Sequence, residues 1–195
     1  MGIEPGQILC LDGFLKRRDC ALLMEGLRYV WWWNSQLAYI DGNGNLASAR
    51  SVQRTSSTSS EEWMDVPMRR LLRQLERTLT QRVGIALGRL ESWQAVRYRR
   101  GQHFDEHHDA GFFTTSPDGE RTHSFVVYLD NHNRGGETIF PGLKQRFRPQ
   151  AGRVLAWRNL LDDGTVDPRM THAGSPARRT KTILTTWARQ RPIHS

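Results

Sequence analysis

A histidine and an aspartate two positions apart, together with a histidine far downstream, offer the ligands of a metal centre. In an extended strand successive side chains alternate between faces, so His107 and Asp109 point the same way while His108 points the opposite way. Joined by His172, they would supply two imidazole nitrogens and one carboxylate oxygen. This donor set binds non-haem Fe(II) and leaves coordination positions open. Because the His-x-Asp pair alone is also typical of a polar surface strand, the surrounding sequence must decide.

The surrounding motifs favour the metal interpretation. Residues 98–109 are followed by Tyr-Leu at 128–129, by Gly-Gly-Glu-Thr-Ile-Phe-Pro at 135–141, and by His-Ala-Gly-Ser-Pro at 172–176, with Lys181 beyond. In their order and approximate spacing these motifs strongly resemble the Fe(II)/2-oxoglutarate-dependent dioxygenases of the prolyl 4-hydroxylase type. They span most of the C-terminal two thirds of the chain.

The resemblance implies a ligand set and a reaction. His107, Asp109 and His172 would bind Fe(II), with 2-oxoglutarate as cosubstrate, O2 as oxidant and ascorbate as an accessory reductant. Oxidative decarboxylation of 2-oxoglutarate to succinate and CO2 would be coupled to hydroxylation of an unactivated C–H bond. In such enzymes the metal carries the redox chemistry and the protein supplies binding and orientation.

The far carboxylate of 2-oxoglutarate requires a cation, because an unpaired buried charge is costly. By resemblance this cation is Lys181, on the strand after His172. It lies nine positions after that histidine, one fewer than in the prolyl hydroxylases it resembles. Arg178 and Arg179 therefore remain alternative anchors.

Other family positions are matched around this anchor. Tyr98 and Thr138 match residues that hydrogen-bond the same carboxylate. Trp187 matches a position where the family commonly has tryptophan, and it shares strand parity with Lys181. We therefore expect all four side chains to line the cosubstrate pocket.

The residues on the substrate side are less well defined. Arg121 matches an arginine ahead of the Tyr-Leu strand and would meet a carbonyl or carboxylate of the substrate. Phe104 occupies an aromatic position that is often tyrosine in relatives that hydroxylate peptides. Arg54 begins an Arg-Thr-Ser element similar to one that the family places near the substrate entrance, although a solvated loop arginine is the alternative.

Length and charge set limits on the fold and the partners. A chain of 195 residues can bury an ordinary core, so we expect one domain over residues 1–195, with helical support in 1–90 and the catalytic jelly roll in 91–190. The formal net charge of +8 predicts attraction to anionic partners. These include an acidic carrier or target protein, the dicarboxylate cosubstrate and nucleic acid, while a basic but unoccupied surface is the plainer interpretation.

The N-terminal region carries no sign of secretion. Its two cysteines, Cys10 and Cys20, form neither a disulfide framework nor a zinc motif. The first residues lack the basic start and continuous apolar core of a signal peptide, and no apolar run is long enough to span a bilayer. We therefore expect a cytoplasmic protein without a membrane partner.

Two helices are predicted before residue 90. The first begins near Asp12 and runs over about 15–28, after a strand at 7–11. The second follows Asp65 as a possible N-cap, has proline in its first turn, and ends at Gly84. Its apolar face predicts packing on a sheet, and its arginine-rich face is solvated or, as the alternative, contacts nucleic acid. Residues 41–45 predict a hairpin turn and residues 56–60 a flexible loop.

Strand-like periodicity dominates after residue 91. Candidate strands punctuated by Gly and Pro cover residues 93–99, the segment around 107, 124–129, 134–140, 145–148, 153–157, 171–173 and 180–188. Many short strands after two helices predict an α+β, mainly β fold, a cupin-like jelly roll or double-stranded β-helix with buttressing helices. Such a fold brings distant strands together, which is how His172 would join His107 and Asp109.

Three functions are compatible with the sequence. The first is hydroxylation of an amino-acid-type substrate, namely peptidyl proline, a free amino acid or a natural-product intermediate. The second, suggested by the basic charge, is the same iron chemistry on nucleic acid, as in oxidative demethylases. The third is a binding module without redox activity. The complete ligand set and Lys181 favour the first.

Overall fold

Two large antiparallel sheets, a two-stranded hairpin and two α-helices make up most of the molecule, a computed structural model that describes residues 2–193. The N-terminal elements are, in order, β1 (Ile8–Leu11), α1 (Arg17–Gly26), β2 (Trp33–Asn34), β3 (Leu37–Ile40), β4 (Leu46–Ala49), β5 (Ser57–Ser60) and α2 (Val66–Val83). The later elements are β6 (Gln94–Tyr98), β7 (Phe104–His107), β8 (Arg121–Tyr128), β9 (Thr138–Phe140), β10 (Gln145–Phe147), β11 (Val154–Arg158), β12 (His172–Gly174) and β13 (Lys181–Arg189).

The strand order confirms the predicted jelly roll. The major sheet has the order β1-β11-β8-β13-β6-β5-β2, and the minor sheet has the order β10-β9-β12-β7. Strands β3 and β4 form a separate hairpin around the predicted turn at 41–45. Apart from β9 and β10, neighbouring strands within each sheet are far apart in sequence, as double-stranded β-helices require.

The helices buttress one face of the major sheet. Asp65 caps α2 by accepting a hydrogen bond from the Met68 backbone N–H at 2.8 Å, and Gly84 ends it in the left-handed region at φ 72°. Leu72 and Leu79 of this helix belong to the same buried cluster as Phe125 of β8. Both predicted ends of α2 are confirmed. Helix α1 is shorter than predicted, because it begins after Lys16 rather than near Asp12.

Residues 57–60 are a strand, so the predicted flexible loop at 56–60 is wrong. Strand β5 pairs with β6 along its whole length, and its two central side chains, Thr58 and Ser59, are buried. The Thr58 hydroxyl lies 2.6 Å from the Ser35 hydroxyl, which satisfies both groups away from water. Hydrogen bonding therefore overcomes the low strand propensity of serine.

The second core cluster lies between the two sheets and surrounds the candidate site. It combines Val96 and Tyr128 of the major sheet with Phe140 of the minor sheet. Within residues 2–193 no helix is long and apolar enough to cross a membrane.

Candidate active site

Strands β7 and β12 place the two histidines of the site directly opposite each other. In the antiparallel pair, His107 is the register partner of His172. Strand β7 ends at His107, so Asp109 reaches the site from the bend that follows. The prediction that strand alternation aligns Asp109 with His107 is wrong in this respect, although the two side chains do converge.

The three side chains form a compact donor set. His107 Nε2 lies 3.8 Å from Asp109 Oδ1, and His172 Nε2 lies 3.7 Å from Asp109 Oδ2. The three ligand atoms all lie within 4.8 Å of one another. Two imidazoles and one carboxylate match the donor chemistry of a non-haem Fe(II) site with open positions, so the residues fit that metal.

Backbone carbonyls set the orientation of both imidazoles. His107 Nδ1 lies 2.8 Å from the carbonyl oxygen of Asp105, and His172 Nδ1 lies 2.9 Å from that of Met170. An N–H donated from each Nδ1 leaves the Nε2 lone pair free to bind a metal. Burial, and secondarily the repulsion from His172, lowers the pKa of His107, so this imidazole is neutral at physiological pH.

The carboxylate is oriented by a buried polar chain. Ser124 of β8 donates its hydroxyl hydrogen to Asp109 Oδ2 at 2.6 Å, and Asn159 Nδ2 donates to Ser124 Oγ at 2.9 Å. Burial alone would raise the pKa of Asp109, but His172, His107 and Arg121 together hold it below its ordinary value. Asp109 is therefore ionised and held in one orientation.

Replacing Ser124 with alanine is expected to weaken divalent metal binding by about 10- to 100-fold, because residues that orient metal ligands contribute on that scale. Titration of the variant with Co(II) by calorimetry measures the effect. The control is Ser59→Ala, which removes another fully buried serine hydroxyl, one without a hydrogen-bond partner in the described residues. Equal Co(II) affinities for the two variants would refute the orienting role.

A cavity of about 860 Å³ opens in front of the triad. Side chains from alternate positions of β13 line one wall of this cavity, as strand parity predicted: Lys181, Ile183, Thr185 and Trp187. Tyr98 and Thr138 also line it, from β6 and β9. The structure therefore brings all four predicted cosubstrate residues to the cavity that contains the metal ligands.

Lys181 is a buried cation without a carboxylate partner. Its side chain is only 2% exposed, and Nζ donates a hydrogen bond to the Gly136 carbonyl oxygen at 2.9 Å. Within residues 2–193 it forms no ion pair, and burial lowers its pKa to about 8 despite attraction to Asp130 and Glu137. An unpaired buried ammonium facing a cavity is suited to bind an anionic ligand.

Gly136 permits this approach of Lys181 to the backbone. Its φ of 73° lies in the left-handed region, and a Cβ built there would lie 3.1 Å from Lys181 Cδ. By contrast, the alternative anchors Arg178 and Arg179 are exposed, outside the cavity.

Tyr128 is a further polar group near this anchor that the sequence analysis did not assign. Its side chain is fully buried, and its hydroxyl lies 2.6 Å from Thr138 Oγ1. Lys181 Nζ lies 6.0 Å from its ring centroid and 4.5 Å from that of Tyr98. Tyr128 shares strand parity with Ser124, so alternation along β8 is the signal that would have identified both.

Two of the predicted substrate residues contact each other beside the metal ligands. The Phe104 ring stacks on the His107 ring with centroids 3.4 Å apart and 10° between the planes. Arg54 lies partly buried in the cavity wall, with its guanidinium carbon 4.8 Å from the Phe104 centroid. The two residues also form a backbone bridge. Arg54 is therefore not the solvated loop residue that was the alternative interpretation.

Arg121 lines the cavity but already has an ionic partner. Its Nε and Nη2 atoms each donate to a carboxylate oxygen of Glu91 at 2.7 Å. The guanidinium carbon also lies 3.8 Å from the Trp187 ring centroid. This arrangement orients Arg121 against Trp187, and contact with a substrate remains a prediction.

Comparisons with known proteins agree with this geometry. The model of the 2OG-Fe(II) oxygenase superfamily matches residues 93–189. Prolyl 4-hydroxylase 13 of Arabidopsis thaliana is 31% identical over 121 residues, covering 51% of this chain and 43% of that protein. Prolyl 4-hydroxylase subunit alpha-2 of Gallus gallus is 25% identical, and the match covers 60% of this chain and 23% of that protein. The chain spans 66% of the length of a putative prolyl 4-hydroxylase of Acanthamoeba polyphaga mimivirus. It spans 56% and 47% of the lengths of two probable prolyl 4-hydroxylases of Arabidopsis thaliana.

Solved structures share the fold. The viral collagen prolyl hydroxylase of Paramecium Bursaria Chlorella virus-1, in complex with 2-oxoglutarate, is 21% identical with a TM-score of 0.62, covering 93% of this chain and 95% of that one. A Pseudomonas putida prolyl-4-hydroxylase is 23% identical with a TM-score of 0.62, covering 94% of this chain and 92% of that one. A Trichoplax adhaerens prolyl hydroxylase bound to a hypoxia inducible factor peptide is 16% identical with a TM-score of 0.66, covering 93% of this chain and 83% of that one.

Proposed function

Residues 93–189 of this chain belong to the 2OG-Fe(II) oxygenase superfamily, and from that premise we propose that the protein is an Fe(II)- and 2-oxoglutarate-dependent dioxygenase. It hydroxylates an unactivated C–H bond of an amino-acid-type substrate and releases succinate and CO2. The observation that carries the proposal is one cavity that holds both a two-histidine, one-carboxylate donor set and a buried, unpaired lysine.

Four charged or metal-binding residues of the cavity have a task in this function. His107, Asp109 and His172 hold Fe(II), which supplies the redox chemistry of O2 and 2-oxoglutarate when bound. Lys181 pairs with the far carboxylate of 2-oxoglutarate, beside the Tyr98 ring. Apolar side chains, among them Val96, Val126 and Ile183, line the cavity beside these groups and lower the local dielectric constant, which strengthens these electrostatic contacts.

The substrate occupies the side of the cavity lined by Arg54, Phe104 and Arg121. Phe104 stacks on a metal ligand and offers no phenolic hydroxyl, so this residue positions the substrate by shape, and a hydrogen bond from this wall to the substrate comes from Arg54 or Arg121. Peptidyl proline, a free amino acid and a natural-product intermediate are the substrate classes we propose. A cytoplasmic location is proposed with them, on the sequence grounds given above.

Succinate release from 2-oxoglutarate tests the function, with Fe(II) and ascorbate present and a substrate panel supplied. The panel contains a proline-rich peptide, free L-proline and a methylated oligonucleotide. Substrate-stimulated succinate with peptide or amino acid supports the proposal. Stimulation by the oligonucleotide alone would favour the alternative, an oxidative demethylase or hydroxylase of nucleic acid. No succinate with any of them, from folded and metal-loaded protein, would count against both.

Cosubstrate binding should weaken at alkaline pH. The protonated form of Lys181 binds the carboxylate, and its pKa of about 8 means that the free protein loses this proton above that value. We expect the dissociation constant for 2-oxoglutarate to be constant below about pH 7 and to rise towards tenfold per pH unit above about pH 8.

Calorimetry of the Mn(II)-loaded protein checks this pH profile without turnover. The matched control is Lys181→Arg, whose guanidinium stays charged across the range, so its profile should be flat. Wild-type binding that is unchanged up to about pH 9.5 would contradict the assignment of Lys181.

A further inference from the structure

Seven arginines form one exposed surface at the Lys181 end of the fold. We call it the arginine surface, and it consists of Arg99, Arg100, Arg134, Arg146, Arg148, Arg178 and Arg179. All seven are exposed, and within residues 2–193 none forms an ion pair with a carboxylate. These guanidinium groups therefore lack carboxylate partners within that range.

Backbone hydrogen bonds hold the loops of the arginine surface together. The Gly101 N–H donates to the Ala177 carbonyl oxygen at 2.8 Å, and the Gly136 N–H donates to the Pro176 carbonyl oxygen at 3.1 Å. Arg179 donates from its side chain to the carbonyl oxygen of Asn131. The loops that carry these arginines are thus packed on one another.

The strand end of β10 extends the same face. His132 N–H donates to the Pro149 carbonyl oxygen at 3.0 Å, which brings the 131–136 loop beside Arg148. Arg146 and Arg148 are near enough to Glu137 that their charges help to lower its pKa, together with a hydrogen bond from Ser175 and against the effect of burial. The two acids of these loops, Asp130 and Glu137, are only partly exposed, whereas all seven arginines are exposed.

A short stretch of chain connects two residues of the arginine surface to the wall of the active-site cavity. Arg99 and Arg100 follow β6 directly, and Phe104 of the next strand lines the cavity. Four residues of extended chain span about 14 Å at most, so Arg100 lies no farther than that from Phe104. A polypeptide with one residue in the cavity needs only a few further residues to reach Arg99 and Arg100.

We propose that the arginine surface binds an acidic segment of a polypeptide substrate, several residues away from the residue that enters the cavity. The proposal rests on the proposed function for the polypeptide and on charge complementarity for its acidity. Nucleic acid fits less well, because sites for single strands combine basic grooves with exposed aromatic rings. The exposed aromatic side chains of residues 2–193 are Tyr29, Trp31, Tyr39 and Trp63, none of which belongs to the arginine surface.

A binding measurement with matched variants tests the proposal independently of turnover. The probe is a fluorescein-labelled decaglutamate peptide, followed by anisotropy with the full chain, without iron or 2-oxoglutarate. The surface variant carries Arg100→Gln, Arg134→Gln and Arg178→Gln. The control carries Arg69→Gln, Arg70→Gln and Arg77→Gln on the exposed face of α2, so both variants lose three positive charges.

We expect the surface variant to bind decaglutamate at least about tenfold more weakly than wild type, and the control to change by less than about twofold. Equal losses of decaglutamate affinity in both variants would show that only net charge matters and would overturn the proposal. Failure of the wild-type protein to bind the probe would overturn it as well. If a single-stranded oligonucleotide binds more tightly than decaglutamate and loses as much affinity in the surface variant, the ligand of the arginine surface is nucleic acid and the polypeptide proposal is overturned.

A kinetic measurement connects this surface to the substrate. Once a peptide substrate is identified, adding glutamates on one side of the target residue should lower KM with kcat unchanged, and the surface variant should lose that gain. A KM unaffected by the added glutamates would overturn the substrate part of the proposal. Failure of turnover with all peptides would instead concern the proposed function, since the anisotropy result stands without it.

Discussion

Replacing Asp109 with alanine is expected to abolish 2-oxoglutarate turnover and leave the fold intact. The change removes the single anionic ligand from the donor set, and even residues that only orient ligands contribute about 10- to 100-fold to metal affinity. We therefore expect Fe(II) affinity and succinate formation to fall by more than 100-fold. The fold should persist, because the carboxylate of Asp109 is held in a polar chain rather than in either apolar cluster.

The matched control is Asp105→Ala. This exposed aspartate lies on the same strand as His107, and its backbone carbonyl, which accepts the hydrogen bond from His107 Nδ1, survives the change. Metal binding, succinate formation and thermal unfolding are measured for both variants. Substantial turnover by Asp109→Ala, or an equal loss in Asp105→Ala, would disprove the ligand assignment.

Replacing Lys181 with methionine should have opposite effects on cosubstrate binding and on stability. A carboxylate that enters the cavity would lose the one fully buried cation that residues 2–193 place at this end, which costs about 2–5 kcal/mol, or about 30- to 5,000-fold in affinity. The folded protein without cosubstrate should be as stable as wild type or more stable, because a buried charge without an ion-pair partner is replaced by an apolar chain of similar length.

The variant Arg179→Met tests whether Lys181 or the alternative anchor Arg179 binds 2-oxoglutarate. This arginine lies two positions away, is exposed, and was an alternative anchor. We expect its dissociation constant for 2-oxoglutarate to stay within about twofold of wild type. Calorimetry of Mn(II)-loaded protein and thermal unfolding measure both variants. Normal 2-oxoglutarate affinity in Lys181→Met would refute the assignment of Lys181 as the cation that binds 2-oxoglutarate. A strong loss of affinity in Arg179→Met would assign that role to Arg179 instead.

Residues with short-range patterns were predictable from sequence. Alternation along β13 correctly placed Lys181 and Trp187 on one face, because an uninterrupted strand fixes side-chain direction. The same rule failed for Asp109, because β7 ends before it and a bend sets its direction. Capping chemistry likewise predicted both ends of α2, where the signals are local.

Residues that act through long-range contacts were not predictable. Asn159 reaches the carboxylate of Asp109 only through Ser124, across three segments that the fold brings together. Arg121 finds Glu91 thirty positions earlier, which changes its expected partner. Strand β5 is serine-rich and reads as a loop until its pairing with β6 is known. Such interactions depend on register and topology, which one sequence specifies only weakly.

The most direct test is anaerobic titration of the metal-free protein with Fe(II) and 2-oxoglutarate, followed by visible absorption. Chelation of Fe(II) by the 2-keto acid gives a weak metal-to-ligand charge-transfer band. We predict this band in the wild-type protein and its loss in His172→Ala, because one of the three ligands is removed. Absence of the band from folded wild-type protein, or its full retention in His172→Ala, would contradict the proposed centre.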